Sequence, residues 1–436
     1  MKHSILLSFW MASALWQTTM AQETRLDSIS RMFSLNDVVV TGTRTPKFLK
    51  DTPIQTRVIN AKDIAKLDAT NVQDLLQQEL PGVEFSYAMN QQTHLNFSGF
   101  GGQGVLFLVD GERLAGETMD DVDFTRLNMD NVERIEIVKG AASALYGSNA
   151  TGGVINIITK RNKQPWTLNV NARYAKHNEQ RYGASLGLSN KHWNNLLSAN
   201  INRIDNYNVQ SASNPVTRII STIYGDKTMH FKDQLVWSPN QNFNLTGRAG
   251  YFFRETVRSV DQPERYRDFT GGLRMNWKLT TQDELQLSYA FDQYDKSDYQ
   301  RITHLDIRDY SNVQNTFRLL HNHSFNRGDV LTLGADWMHD YLFNINLNGE
   351  TREQDSWDVF AQYDWRINNQ WEVVSALRYD YFSDGKESHL TPKLNICYKP
   401  LHNLSLRAGY GMWVRAPTLK ENYYDFDIAV IWIVEG

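Results

Sequence analysis

Two hydrophobic rhythms divide the chain. In its first third the pattern is mixed. The stretch INAKDIAKLDATNVQDLLQQELPG places Ile64, Leu67, Val72, Leu75 and Leu76 at helical spacing, with Asp63 as a first-turn acid. VLFLVDG and ERIEIVKG read as short buried strands bounded by glycine. These elements predict a small α+β domain ending near Lys163. After Trp166 the period becomes two: Trp166, Leu168, Val170, Ala172 and Tyr174 share one face, and Thr167, Asn169, Asn171 and Arg173 share the other. The alternation recurs from Phe243 to Phe253, Leu285 to Phe291, Leu331 to Trp337 and Trp357 to Ile367. In the last of these the second face carries Asp358, Gln362, Asp364 and Arg366. A soluble sandwich also alternates, but one apolar face, one strongly hydrophilic face and aromatic strand ends together predict a transmembrane β-barrel.

The links between strands point the same way. Thirteen candidate strands run from Trp166 to Trp413, and every second link is a tight turn, at 189–192, 238–242, 280–283, 326–329, 368–370 and 399–403. The links between them are longer, at 204–226, 254–265, 292–312, 342–354 and 381–389; only the first, near His177, is short. Tight turns at one end and long loops at the other is the asymmetry of outer-membrane barrels, whose long loops face outward. Thirteen is odd where such barrels are even, and a barrel wide enough for a plug needs about 22 strands. The expectation is therefore a partial barrel, the N-terminal part of a longer, C-terminally truncated one.

Composition narrows the field further. Past the first twenty residues no apolar run approaches the roughly 18–20 residues of a membrane-spanning helix. The aromatic content, 12 Trp, 20 Tyr and 20 Phe, is high for so polar a chain and suits a barrel with interfacial girdles. With 45 Lys and Arg against 49 Asp and Glu, there is no basic footprint for nucleic acid. A single cysteine, Cys397, excludes internal disulfides and multi-cysteine metal sites. MKHSILLSFWMASALWQTTMAQ has a short polar start, an apolar stretch and small residues before Gln22, which predicts a signal peptide over residues 1–21. No G-x-S-x-G, H-E-x-x-H or promising cysteine context occurs, so neither catalytic residues nor a bound cofactor or metal is expected. Asp120 and Asp121 read as a solvated pair in a polar loop.

Three segments carry a resemblance to a known family. NDVVVTGTRTP, Asn36 to Pro46, contains a Val-rich extended stretch suited to adding a strand to a partner's sheet. FSGFGGQGVLFLVDGERL covers Phe97 to Leu114, and VERIEIVKGAASALYGSNATGGVINIITK covers Val132 to Lys160. A phosphate-loop reading of the last fails, since GSNATGG lacks the lysine and its spacing. Together these segments resemble the TonB-dependent outer-membrane receptors. The resemblance implies a TonB box at Asp37, Val38, Val39, Val40 and Thr41, in a periplasmic segment over 22–46. It further implies a plug domain over 47–163 and a barrel over 164–436. TonB and outer-membrane lipid are the implied partners. WVRAPTLKE, Trp413 to Glu421, also resembles the arginine-alanine-proline box of the haem-uptake branch, with Val414 where that branch has an aromatic.

The implied function is binding of an iron chelate, haem or siderophore, outside the cell and its import to the periplasm, with haem or ferric chelate as cargo rather than cofactor. Cobalamin or another large nutrient is the alternative; a passive porin or adhesin, and a non-functional truncated receptor, are the rivals of other classes. The plug apex, Tyr87 to Phe100 and Leu114 to Phe124, would face the ligand vestibule, which makes His94, Tyr87 and Phe100 ligand-contact candidates. The imidazole of His94 could ligate haem iron, since axial histidine is a standard haem ligand. Tyr299, His304 and Tyr310 join them from the long link, and Arg415 from the box. His321 and His323 share one strand face but should lie at the periplasmic end.

Overall fold

The computed structural model describes residues 38–39, 41, 47–48, 52–67, 69, 71–87, 91, 93–118, 121–140, 143–147, 150–211, 214–347, 350–401, 404–412 and 417–423. The first domain opens with β1 (Val38–Val39) paired antiparallel to β2 (Lys47–Phe48). β3 (Thr56–Asn60) runs into α1 (Ala61–Lys66), where the Asn60 side chain accepts hydrogen bonds from the amides of Lys62 and Asp63 at 3.0 and 3.1 Å. The helical periodicity is not one helix. Asn71 caps a second, α2 (Val72–Glu79), by accepting from the Asp74 amide at 2.7 Å, and an N-cap there separates the two. α2 buries Val72, Leu75 and Leu76.

β4 (Val83–Tyr87), β5 (Thr93–Phe97) and β6 (Phe100–Gly101) form a small antiparallel sheet. The main sheet is built from β7 (Val105–Val109), β8 (Glu112–Arg113), β11 (Val132–Lys139) and β12 (Gly153–Thr159), in the order β3-β11-β12-β7-β8. Between these lie the pair β9 (Glu117–Thr118) and β10 (Asp121–Val122), a 3-10 turn at Phe124–Arg126 and a short helix, α3 (Ser143–Tyr146). The core is ordinary for a globular domain: Leu75, Leu76, Ile135, Ile137 and Ile155 pack together out of water.

The barrel strands follow one another almost without interruption. They are β13 (Trp166–Ala175), β14 (Glu179–Ser189) and β15 (Trp193–Arg203), then, after a hairpin, β18 (Asp226–Asn240), β19 (Phe243–Thr256) and β20 (Glu264–Lys278). β21 (Asp283–Gln300), β22 (Leu305–Ser324), β23 (Val330–Asn344), β24 (Thr351–Arg366), β25 (Trp371–Phe382), β26 (Glu387–Leu401) and β27 (Leu404–Gly411) complete them. A last short helix, α4, covers Leu419–Tyr423. All thirteen barrel strands hydrogen-bond in one antiparallel sheet, each to its neighbour in the list. Among the described residues β13 and β27 have one neighbour each, so the sheet is an arc around the first domain.

Its two faces invert the usual rule. Trp166, Val170, Leu273, Trp357 and Val359 stand exposed on the outside, while Asp268, Asp292, Asp336, Asp358 and Arg378 are buried on the inside. An apolar exterior over a charged interior is the signature of a wall between lipid and a filled lumen. Three long links differ from expectation, and the one at 381–389 narrows to a turn at 383–386 because β25 and β26 stay paired out to Phe382 and Glu387. Link 204–226 contains a hairpin of β16 (Tyr207–Ser211) with β17 (Asn214–Ile223). Link 292–312 is mostly strand, because β21 and β22 stay paired out to Gln300 and Leu305 and leave only 301–304 as a turn.

Candidate functional site

The first domain is held inside the arc by charge pairs reaching across the lumen. The turn Phe124–Arg126 puts the Arg126 guanidinium between two barrel carboxylates: Nε lies 3.1 Å from Asp268 and NH2 lies 2.8 Å from Asp292. Asp292 also accepts the Ala115 amide at 2.9 Å, and Asn312 accepts the Gly116 amide at 2.7 Å. Gly116 has φ +79° with its open side against the Tyr294 ring, so no side chain fits there. Asp123 meets Arg254 at 3.1 Å and accepts from the Tyr294 hydroxyl at 2.7 Å. Burial opposes the charge on Asp123, but Arg254 and the hydroxyls of Thr125 and Tyr294 hold its carboxyl below the usual range. Glu112 sits among Arg274, Arg248 and Arg318. Burial again works against it, and the guanidinium charges, Arg274 foremost, bring its carboxyl to about 2. Farther round, Leu145 and Tyr146 pack on Leu320 and Phe360 of the wall.

At the long-link end the two domains enclose a cleft of about 610 Å³. Tyr87 and Gln91 come from the plug side, Tyr207 and Tyr224 from the hairpin link, and Asp226 and Arg258 from the wall. Gln91 spans it, donating to the Thr222 carbonyl and accepting the Tyr224 amide at 3.1 Å.

Of the sequence candidates among the described residues, only Tyr87 lines this cleft. His94 is in β5 with its Nδ1 3.0 Å from an oxygen of Asp121, whose other oxygen accepts the Leu95 amide at 3.1 Å. Asp121 is accordingly buried rather than solvated, which corrects that expectation. Phe100 packs over Gly104 and Gly152. Tyr299 and His304 meet at the tip of the β21–β22 extension, hydroxyl to Nδ1, at 3.1 Å. Tyr310 is no loop residue: it is buried with Phe252, Tyr266, Tyr294 and Leu342. Residues 1–21, Asp37, Val40 and Arg415 lie outside the described residues. His321 and His323 lie at the tight-turn end, both on Asp283, at 3.1 and 2.7 Å.

Thr41 is fixed deep in the first domain. Its amide and hydroxyl donate to Glu136 at 2.9 and 2.7 Å, its hydroxyl accepts from Asn156 at 2.9 Å, and its carbonyl accepts from the Tyr146 hydroxyl at 2.9 Å. Nothing in the sequence marks Glu136, Asn156 or Arg126 for these tasks. Their partners lie 95 to 166 residues away, and the only available signal is that carboxylates on a lumen-facing strand must find cations.

Comparison with known proteins decides what this arrangement is. The family model for the TonB-dependent receptor plug domain matches residues 49–154, and the one for the TonB-dependent receptor-like β-barrel matches residues 199–434, more than half of the chain. The chain belongs to the TonB-dependent receptor family. Members of this family are outer-membrane receptors and transporters rather than enzymes. A vitamin B12 transporter BtuB of Vibrio cholerae is 28% identical over 413 residues, covering 88% of this chain and 64% of the relative. BtuB of Photobacterium profundum is 23% identical over 429 residues, covering 90% and 64%. Among solved structures, a ferric enterobactin receptor of Pseudomonas aeruginosa superposes with a TM-score of 0.72 at 19% identity, covering 87% of this chain and 64% of that one. The siderophore receptor PirA of Acinetobacter baumannii gives 0.71 at 19% identity, covering 83% and 61%. These two likenesses concern the fold. The chain thus spans about 64% of the length of the curated relatives it matches.

Proposed function

We propose that this chain serves an outer-membrane receptor that captures a bulky metal chelate outside the cell and imports it to the periplasm, with energy supplied by TonB through the segment at 37–41. The observation that carries the reading is Thr41: the last residue of the proposed box is hydrogen-bonded to Glu136 on β11 and Asn156 on β12, so whatever grips the box acts on the main plug sheet. An iron chelate, haem or siderophore, is the first reading of the cargo. A corrinoid is the second, supported by sequence relatives that are named vitamin B12 transporters. For haem, the relevant group is His94. Asp121 can hold its Nδ1–H, which leaves Nε2 as the basic nitrogen, the arrangement typical of a metal-ligating imidazole. The signal peptide over 1–21 and the outer-membrane location belong to the same proposal.

The test is binding and uptake of three probes, haemin, ferric enterobactin and cyanocobalamin, in cells carrying the receptor with and without residues 37–41. The expected outcome is surface binding of one probe in both strains and its uptake only with the segment present. Uptake that survives the deletion would remove the energy-coupling role. The same binding assay on His94→Ala assigns or excludes haem, since loss of a ligating histidine lowers affinity for haemin alone.

A further inference from the structure

The apolar outer face of the wall has a polar interruption on β18. There the exposed Phe231, Leu235 and Trp237 alternate with the buried Thr228, His230 and Val236, so Asp233 points outward with the first set. Trp237 lies four residues toward the tight-turn end and is stacked on Trp193, with ring centroids 5.8 Å apart. Phe231 lies two residues the other way, across from Tyr251. Asp233 is therefore held between two aromatic levels, at the height of the hydrocarbon. Among the described residues its side chain has one hydrogen-bond partner, the Asn195 amide nitrogen at 2.6 Å, and no cation. Asn195 is on the outer face of β15, in line with the exposed Trp193, Ala199 and Ile201. A carboxylate accepts about four hydrogen bonds, and lipid supplies none. An ionisable group at this height marks a contact rather than a plain lipid surface.

The wall beside the pair is low. Asp233 is flanked by Leu197 on β15 and Ala249 on β19, Ala249 by Gly271 on β20, and Gly247 lies across from Leu235. A methyl group added at Gly247 or Gly271 would come no nearer its surroundings than 3.6 and 3.8 Å, so the wall's own packing does not demand glycine at either. Small residues beside a polar group let a second membrane protein approach closely and hydrogen-bond to it. The pair also specifies that protein. It sets an acceptor, Asp233, next to a donor, Asn195, so a half-turn rotation lays each on its counterpart. A second copy of the chain carries the matching groups at the same height, between the same aromatic levels.

We propose that two copies of the receptor associate side by side in the membrane through the outer faces of β15, β18, β19 and β20, the Asn195 amide of each donating to the Asp233 carboxylate of the other. The amide hydrogen that reaches the Gln234 carbonyl at 3.2 Å is the one that turns outward. The carboxylates are then bridged by amides instead of meeting head-on. The test is cross-linking in outer membranes of cells that carry the full-length receptor. Leu197→Cys, opposite Asp233, treated with a short bis-maleimide should give a species of twice the receptor mass, and Leu333→Cys, exposed on β23, should give none; the native Cys397 is buried. Asp233→Leu takes a charge out of lipid, which favours assembly of the wall, and should lower the doubled fraction about tenfold. Asp233→Asn still accepts from Asn195 and should keep most of it. Gly271→Leu, which raises the floor of the patch, should lower it by a smaller factor. Absence of the doubled species, an equal yield from Leu333→Cys, a product of another mass, or a yield unchanged in Asp233→Leu overturns the proposal.

Discussion

The plug and the wall solve opposite solvation problems with the same amino acids. In the plug, Leu75, Ile137 and Ile155 are packed together out of water, so water drives the fold together. In the wall, Leu273 and Trp357 face out and Asp292 and Asp358 face in, so lipid supports the exterior and the plug must satisfy the interior. The wall's lumen-facing carboxylates and the plug's Arg126 therefore complete each other: neither domain's charge inventory is balanced where they meet without the other. The contrast teaches that exposure of a residue carries no meaning until its solvent is named.

The comparison can be broken at matched positions. Leu75→Ala should cost the plug about 2–5 kcal/mol, because it opens a cavity in a packed core. The measurement is the urea concentration at which trypsin begins to cut the plug. Leu273→Ala, truncating an equally large side chain on the outer face, should leave that midpoint almost unchanged. Leu273→Arg should instead destabilise the wall by about 2–4 kcal/mol if the position lies near the bilayer midplane, and less toward an interface. An equilibrium unfolding series in vesicles reads the difference, and a neutral result would mean that this face does not meet lipid.

Acid should loosen the contact between plug and wall at Glu112. The Glu112 carboxyl is depressed to about 2 by its three arginines, so its contribution to docking is complete above the ordinary carboxyl value of about 4.3 and drains away only as pH falls toward about 2. Plug docking, followed by protease access, should therefore weaken across that interval in the wild type. In Glu112→Gln the part of the weakening that comes from this residue should be absent.

Much of the wall was legible because its signal is local and repeated. Alternation placed thirteen strands and all the tight turns, since each strand must independently present one face to lipid. The extension of β21 and β22 was missed for the same reason. Beyond the membrane no lipid enforces alternation, so DKSDYQ and LDIRDY carry no period although they pair. The plug motifs were legible as motifs, but the attachments were not. Arg126 in FTRLN meets Asp292 166 residues later, and only the folded arc brings them together. Likewise His94 was read as an open apical imidazole, whereas Asp121, 27 residues on, folds back to hold it.

The anchoring of Thr41 has a mechanical consequence. Four hydrogen bonds converge on one residue from Glu136, Asn156 and Tyr146, so tension along the preceding chain loads them together rather than in sequence. Bonds strained in parallel resist until they give way at once, as a fuse does. A weak pull arriving from the N-terminal side is therefore borne at this point, and only a stronger one breaks the set. Beyond the fuse the next links are the paired strands β11 and β12 in the interior of the sheet, not an edge strand that would peel away unnoticed.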